Sequence, residues 1–345
     1  MPRIEARFEV VRGGVPLLEL AGNADQPATV SFAGDADIKM TFSGTFDNIP
    51  PQVNFLTDRL RPYLLIDGEQ YPLGVYVITT PTQSKNGDLV RCELTGYDLT
   101  YLAQLSRLEE RAHYSKGAKY TDVVRNLLVE SGIQDVELEP NDSAVLQTDR
   151  EDWEPGTDRL TIANALLAEI NYRSVYMDLD GIVRAGPWQP PTLGNVSHVY
   201  RTDKDSVVLP EATIGRDTFD LANVFIREVD NPDLGETLRA VAENTDPSSP
   251  ISVQNRGLRV VDYEKIDNVA SQRELQNMVD NLRLQSYYST ETISFETGPS
   301  PTHGAWDVVR LEHGAYEGIY EETAWSLTLA YDGTMTHEGR RATWL

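Results

Sequence analysis

Arg61-Pro62-Tyr63-Leu64-Leu65-Ile66-Asp67-Gly68-Glu69-Gln70-Tyr71-Pro72-Leu73-Gly74-Val75-Tyr76-Val77-Ile78 is the most informative stretch of this chain. One apolar run enters Asp67-Gly68 and another follows it. Asp-Gly between such runs predicts a tight hairpin, because both central residues of a type I′ turn need positive φ. The pattern repeats outward. Arg7–Val11 and Val15–Leu20 bracket Arg12-Gly13-Gly14, and Asn86-Gly87 precedes Leu89–Leu94. Ala28–Phe32 and Ile38–Ser43 alternate at period two, which places one face in a core. Pro50-Pro51 interrupts the series. At least six short strands at close spacing predict a small barrel or sandwich over residues 1–100.

Helical spacing begins after Tyr97. Leu99–Leu105 is apolar on one face. Val123, Val124, Leu127 and Leu128 line a second helix, with Thr121 as the expected cap and Gly132 as the stop. A third helix follows Gly156-Thr157-Asp158 and buries Leu160, Ala163, Leu166, Leu167 and Ile170. Arg173–Asp178 then turns at Asp180-Gly181 into Ile182–Ala185. Helices followed by a hairpin predict a small α+β unit over 101–204. Pro187-Trp188-Gln189-Pro190-Pro191 marks a boundary, because stacked prolines cannot continue a helix. Strands return at Val207–Pro210, Ala222–Glu228 and Leu238–Glu243. Ser271 with Glu274 fits a capping box opening a helix near 271–285. Strands at Glu291–Glu296, Asp307–Leu311, Thr323–Tyr331 and Thr334–His337 close the chain. The expected fold class is α+β and β-rich. Two small β-barrel-like domains, 1–100 and 205–345, are separated by the 101–204 unit, and a helix is inserted in the second. Several domains also suit 345 residues, which exceeds the roughly 250–300 at which one core stops growing.

The formal net charge is −24. Residues 205–345 alone carry 11 basic and 24 acidic side chains. Residues 1–100 carry 8 and 13, and residues 101–204 carry 11 and 17. No third has the basic excess that gripping phosphates requires. Acidity keeps a surface soluble, and it also suits a channel through which DNA slides without sticking. No apolar run approaches the ~20 residues of a membrane-spanning segment. Met1-Pro2-Arg3-Ile4-Glu5 lacks a signal-peptide pattern, so synthesis and folding in the cytoplasm are expected. Cys92, the single cysteine, sits in alternating sequence and reads as a core residue.

No catalytic constellation emerges, so an assembly component is expected rather than an enzyme. His113, His198, His303, His313 and His337 form no His-x-x-x-His pair, and His303 and His313, each before a glycine, read as turn residues. No metal site and no cofactor site are expected. Asp178-Leu179-Asp180-Gly181 lacks the closing glutamate of a calcium loop. Phosphate-binding glycine loops and Gly-x-Ser-x-Gly are absent from the sequence. Glu109-Glu110 and Glu321-Glu322 read as solvated faces. Trp153, Trp188, Trp306, Trp325 and Trp344 share no spacing, so packing is their expected role.

Arg61–Ile78 resembles the first barrel of phage tail hub proteins, the trimeric central hubs of tailed-phage tips, baseplates and related injection systems. Cys92-Glu93-Leu94-Thr95-Gly96-Tyr97-Asp98-Leu99 is similar to their passage from strand into short helix. Helices at 121–131 and 158–170, the hairpin at Asp180-Gly181, and Asp220-Leu221-Ala222-Asn223-Val224-Phe225-Ile226 follow in the family's order. The resemblance covers almost the whole chain. It implies a virion structural protein that forms a homotrimeric ring at the tail tip and is assembled in the host cytoplasm. The implied partners are the distal tail protein, tail tube, tape-measure and tip fibre or receptor-binding proteins. DNA would pass through during ejection without specific binding, and any lytic activity would sit on another chain. A carbohydrate- or receptor-binding module of the virion, serving host attachment, is the alternative.

Overall fold

The computed structural model describes residues 3–203, 206–216, 221–229, 237–287, 291–313 and 316–342. Asp220, Trp344 and the expected 204/205 boundary lie outside the described residues, as does the side chain of His313. The chain is β-rich with few helices, and no helix among the described residues is long and apolar enough to cross a membrane.

The first strands are β1 (Ile4–Arg12), β2 (Val15–Leu20), β3 (Ala28–Ala33), β4 (Met40–Asp47), β5 (Arg59–Ile66), β6 (Glu69–Pro72), β7 (Tyr76–Ile78), β8 (Thr82–Asn86) and β9 (Leu89–Asp98). Six of them run in the order β2-β1-β5-β7-β9-β4. The ring closes where Gly22 bridges Phe46 and Asn23 N donates to Thr45 O at 2.9 Å. Glycine is needed at 22, because a Cβ there would lie 2.7 Å from the Phe8 ring. The hairpin turns follow their sequence signals. Asp67 and Gly68 have φ of 53° and 88°, and Gly13 and Gly14 have 56° and 80°.

The middle unit contains α1 (Thr100–Leu105), α2 (Tyr120–Glu130), β10 (Val136–Leu138), α3 (Arg159–Ala168), β11 (Tyr176–Met177) and β12 (Val183–Ala185). Asp158 caps α3 through Thr161 N. Thr121 does not cap α2. It lies inside the first turn, Lys119 holds the cap position, and no side chain bonds there. Buried Asp98 accepts from Met40 N and Thr100 N, both at 2.8 Å, tying the first barrel to α1. One apolar core runs continuously from the barrel into this unit.

The remaining elements are β13 (Val196–Arg201), β14 (Val208–Gly215), β15 (Val224–Val229), β16 (Leu238–Glu243), α4 (Val253–Arg256), β17 (Val261–Ile266), α5 (Gln272–Ser286), β18 (Thr292–Thr297), β19 (Val308–His313), β20 (Tyr316–Leu329) and β21 (Met335–Ala342). Six strands run in the order β13-β19-β20-β21-β18-β14. The inserted helix brings strands of its own. Sheet β16-β15-β17 packs on α5 around Phe225, Val229, Leu275 and Val279. Ser271 caps α5 by accepting from Glu274 N. The Glu274 carboxylate instead accepts from Asn171 Nδ2 at 2.9 Å, so this cap also fastens the insertion to the middle unit.

β20 reaches further back than Thr323, where the alternation suggested a start. Its first half pairs with β19, and its second half pairs with β3 from the other end of the chain. A bulge between Glu322 and Ala324 separates the halves. Its extra residue changes the phase, from inward Tyr320 and Glu322 to inward Trp325, Leu327 and Leu329.

Candidate functional site

The bulge places a cluster of titratable side chains inside the C-terminal strands. Alternation aims His198 and Tyr200 inward from β13, Phe295 and Thr297 from β18, and His337 from β21. The loop between β18 and β19 adds His303, and Asp307 stands just before β19. Glu322 enters from β20, its backbone N–H bonded to Asp307 O at 2.8 Å.

Glu322 is the centre. Its Oε2 lies 2.6 Å from His303 Nδ1 and its Oε1 lies 2.5 Å from His337 Nδ1. The outer nitrogens meet hydroxyls. His303 Nε2 is 2.5 Å from Tyr200 Oη, and His337 Nε2 is 2.9 Å from Thr297 Oγ1. His198 stacks on His303 at 3.7 Å between centroids, and its Nε2 is 3.2 Å from Asp307 Oδ2. His303, Glu322 and His337 are at most 1% exposed. Burial raises the Glu322 carboxyl, partly opposed by the bond from His337. Burial likewise lowers both imidazoles, His303 further through its neighbour His198. Asp307 stays below the ordinary carboxylate value. Burial pushes it up, but bonds from His198 and Gly304 N outweigh that. Such a cluster can relay hydrogen bonds, and its donors also converge as metal ligands do.

Spacing in the chain did not reveal this site. The signal it carried was polar residues at inward positions of strands, Tyr200, Thr297 and His337. The reading of Glu321-Glu322 as a solvated face is corrected. Glu322 is fully buried and Glu321 pairs with Arg173, because β20 crosses the interior rather than its surface. Glu109-Glu110 is exposed. His113 lies outside the cluster, 3.0 Å from Glu151. The carboxylate of Asp178 accepts from Asp180 N, Ile182 N and Arg184 Nε, which closes its hairpin. Cys92 is buried on β9, and burial raises its thiol.

A separate cleft of about 400 Å³ lies where the middle unit meets the insertion. Trp188 and Trp306 both line it, and the Arg173 guanidinium sits 4.5 Å over the Trp306 ring. Trp325 is buried, and Trp153 lies under Arg150 at 5.0 Å.

No protein-family model matches the chain, and no curated protein matches it. Solved structures share its fold over nearly its whole length. A tail protein from Neisseria meningitidis MC58 matches with TM-score 0.66 and 15% identity, covering 98% of this chain and 96% of that one. The 43 kDa tail protein of prophage MuSo2 from Shewanella oneidensis matches with TM-score 0.67 and 10% identity, covering 99% of both. The E. coli c3393 protein is a type VI secretion component described as similar to T4 tail proteins gp27 and gp5. It matches with TM-score 0.52 and 10% identity, covering 99% of this chain and 74% of that one.

Proposed function

We propose that this chain is a structural hub subunit at the distal end of a phage tail. It forms a homotrimeric ring that joins the tail tube to the tip and surrounds the path of DNA exit. The observation that carries this reading is the match to tail proteins from end to end, 98–99% of this chain against 96–99% of theirs. Two six-stranded β-units per subunit support it, since three subunits then present six similar units to a sixfold tube. Units 1–100, 101–204 and 205–345 are its working division. The partners are the distal tail, tube, tape-measure and tip proteins, and the place of action is the virion. Part of the acidic excess lines the channel, where it keeps DNA from adhering, and the rest keeps the surface soluble. The role is scaffolding, with no catalysis.

Light scattering over a concentration series tests the ring. The expected mass is three times 38.6 kDa, with threefold particles by electron microscopy. A monomer that also fails to join tail tubes or tip proteins when mixed with them would overturn the reading. A second reading, a carbohydrate- or receptor-binding module, draws on the cleft that Trp188 and Trp306 share. It requires glycan binding that is lost in Trp188→Ala.

A further inference from the structure

We propose that the C-terminal β-unit holds one zinc ion, bound by Nδ1 of His303, Nδ1 of His337 and both carboxylate oxygens of Glu322. Three residues thus supply four donor atoms from a loop, β20 and β21. Their ligand atoms lie within 4.8 Å of one another. Two imidazoles and a carboxylate form a borderline donor set that suits zinc.

The setting of Glu322 points the same way. Six carboxylates among the described residues are buried: Glu9, Asp58, Asp98, Glu274, Glu291 and Glu322. Arginine bonds or pairs with Glu9, Asp58, Glu274 and Glu291, and backbone N–H groups meet Asp98. Glu322 faces two imidazoles and, among the described residues, no Lys or Arg within ion-pair distance. A carboxyl so deeply buried ionises only beside a counter-charge. A divalent ion between the rings supplies it.

The outer contacts fit as well. A zinc-bound imidazole usually donates its other N–H to a fixed acceptor. Thr297 Oγ1 donates to Gly298 O at 2.7 Å and leaves its lone pairs for His337 Nε2–H. Tyr200 Oη stands 2.5 Å from His303 Nε2. The His198–Asp307 pair stacks against His303 and positions its ring without joining the ligand set. When zinc binds, each ring keeps one proton, on Nε2, any proton left over from the Nδ1–carboxyl bonds passes to solvent, and each nitrogen–oxygen pair opens to about 3.0–3.4 Å to admit bond lengths near 2.0–2.2 Å. With so little exposure, the ion enters during folding.

The test uses the full, untagged chain, refolded with zinc, desalted and analysed by elemental mass spectrometry. The expected result is about one zinc per chain. Refolding with cobalt should give visible d–d absorption that Glu322→Gln lacks. Glu322→Gln should lose the metal and His198→Asn should keep it. Wild-type protein holding less than about a tenth of an equivalent, with a melting temperature indifferent to zinc during refolding, overturns the proposal. Zinc that survives Glu322→Gln but not His198→Asn overturns this ligand set. Should Glu322→Gln fail to fold, the wild-type stoichiometry and cobalt spectrum decide alone.

Discussion

Both β-units use six strands, yet their interiors differ in kind. The N-terminal one is filled by Phe8, Phe42 and Phe46, whose rings meet at 5.0–6.2 Å, with Leu60, Leu64 and Leu94 around them. The C-terminal one buries Tyr200, Phe295 and Tyr320 beside His303, Glu322, His337 and Thr297. An apolar interior is held by non-directional burial and tolerates volume-conserving change. A polar interior is held by a connected network, so one missing partner strands the others. The same strand, β20, serves both and changes character at its bulge. One pattern of alternation thus supports two different kinds of core.

The comparison breaks most visibly at Phe46. Phe46→Ala should cost about 3–5 kcal/mol, by the cavity it opens. Urea midpoints should show a similar loss at pH 6 and pH 8, because no charge is involved. Glu322→Gln should cost about 3 kcal/mol, although it removes almost no volume. If denaturation shows under about 1 kcal/mol, the network carries little of the C-terminal unit's stability.

A smaller effect belongs to the rim of the N-terminal unit. Asp58 accepts from Arg12 at 2.6 and 2.8 Å and from Asn54 N at 2.8 Å. The Arg12 bonds hold its carboxyl below the ordinary value, and burial opposes them. A depressed carboxyl stabilises the fold above its unfolded pKa, near 3.9, and that contribution is lost as pH falls through the folded value. Asp58→Asn should therefore cost about 1.5 kcal/mol at neutral pH and flatten the acid limb of the stability profile. Gly68→Ala should be mildest. At φ of 88° a Cβ costs about 1 kcal/mol, read as a small drop in melting temperature with the core unchanged.

Legibility followed the distance between interacting residues. Asp67-Gly68 wrote its own hairpin, and Asp158 and Ser271 wrote their helix starts, because each acts on backbone two or three residues away. Thr121 misled because several residues near a helix start can cap it, and the turn chose Lys119. The strands at 222–243 were legible as strands but not as a separate sheet. Alternation says which side is buried, not against what.

Composition and short-range chemistry were enough for a β-rich, acidic chain with helices in the middle and a helix inserted near 271–285. They act within a turn or a strand, so the order of residues contains them. The pairing of β3 with β20 joins Ser31 to Ser326 across 295 positions at 2.8 Å, and no local rule selects that partner. The meeting of His303, Glu322 and His337 depends on another long-range pairing, of β20 with β19 and β21, and on one bulge. A single-residue shift of register would turn Glu322 outward, so its burial was settled only when the whole sheet was in place.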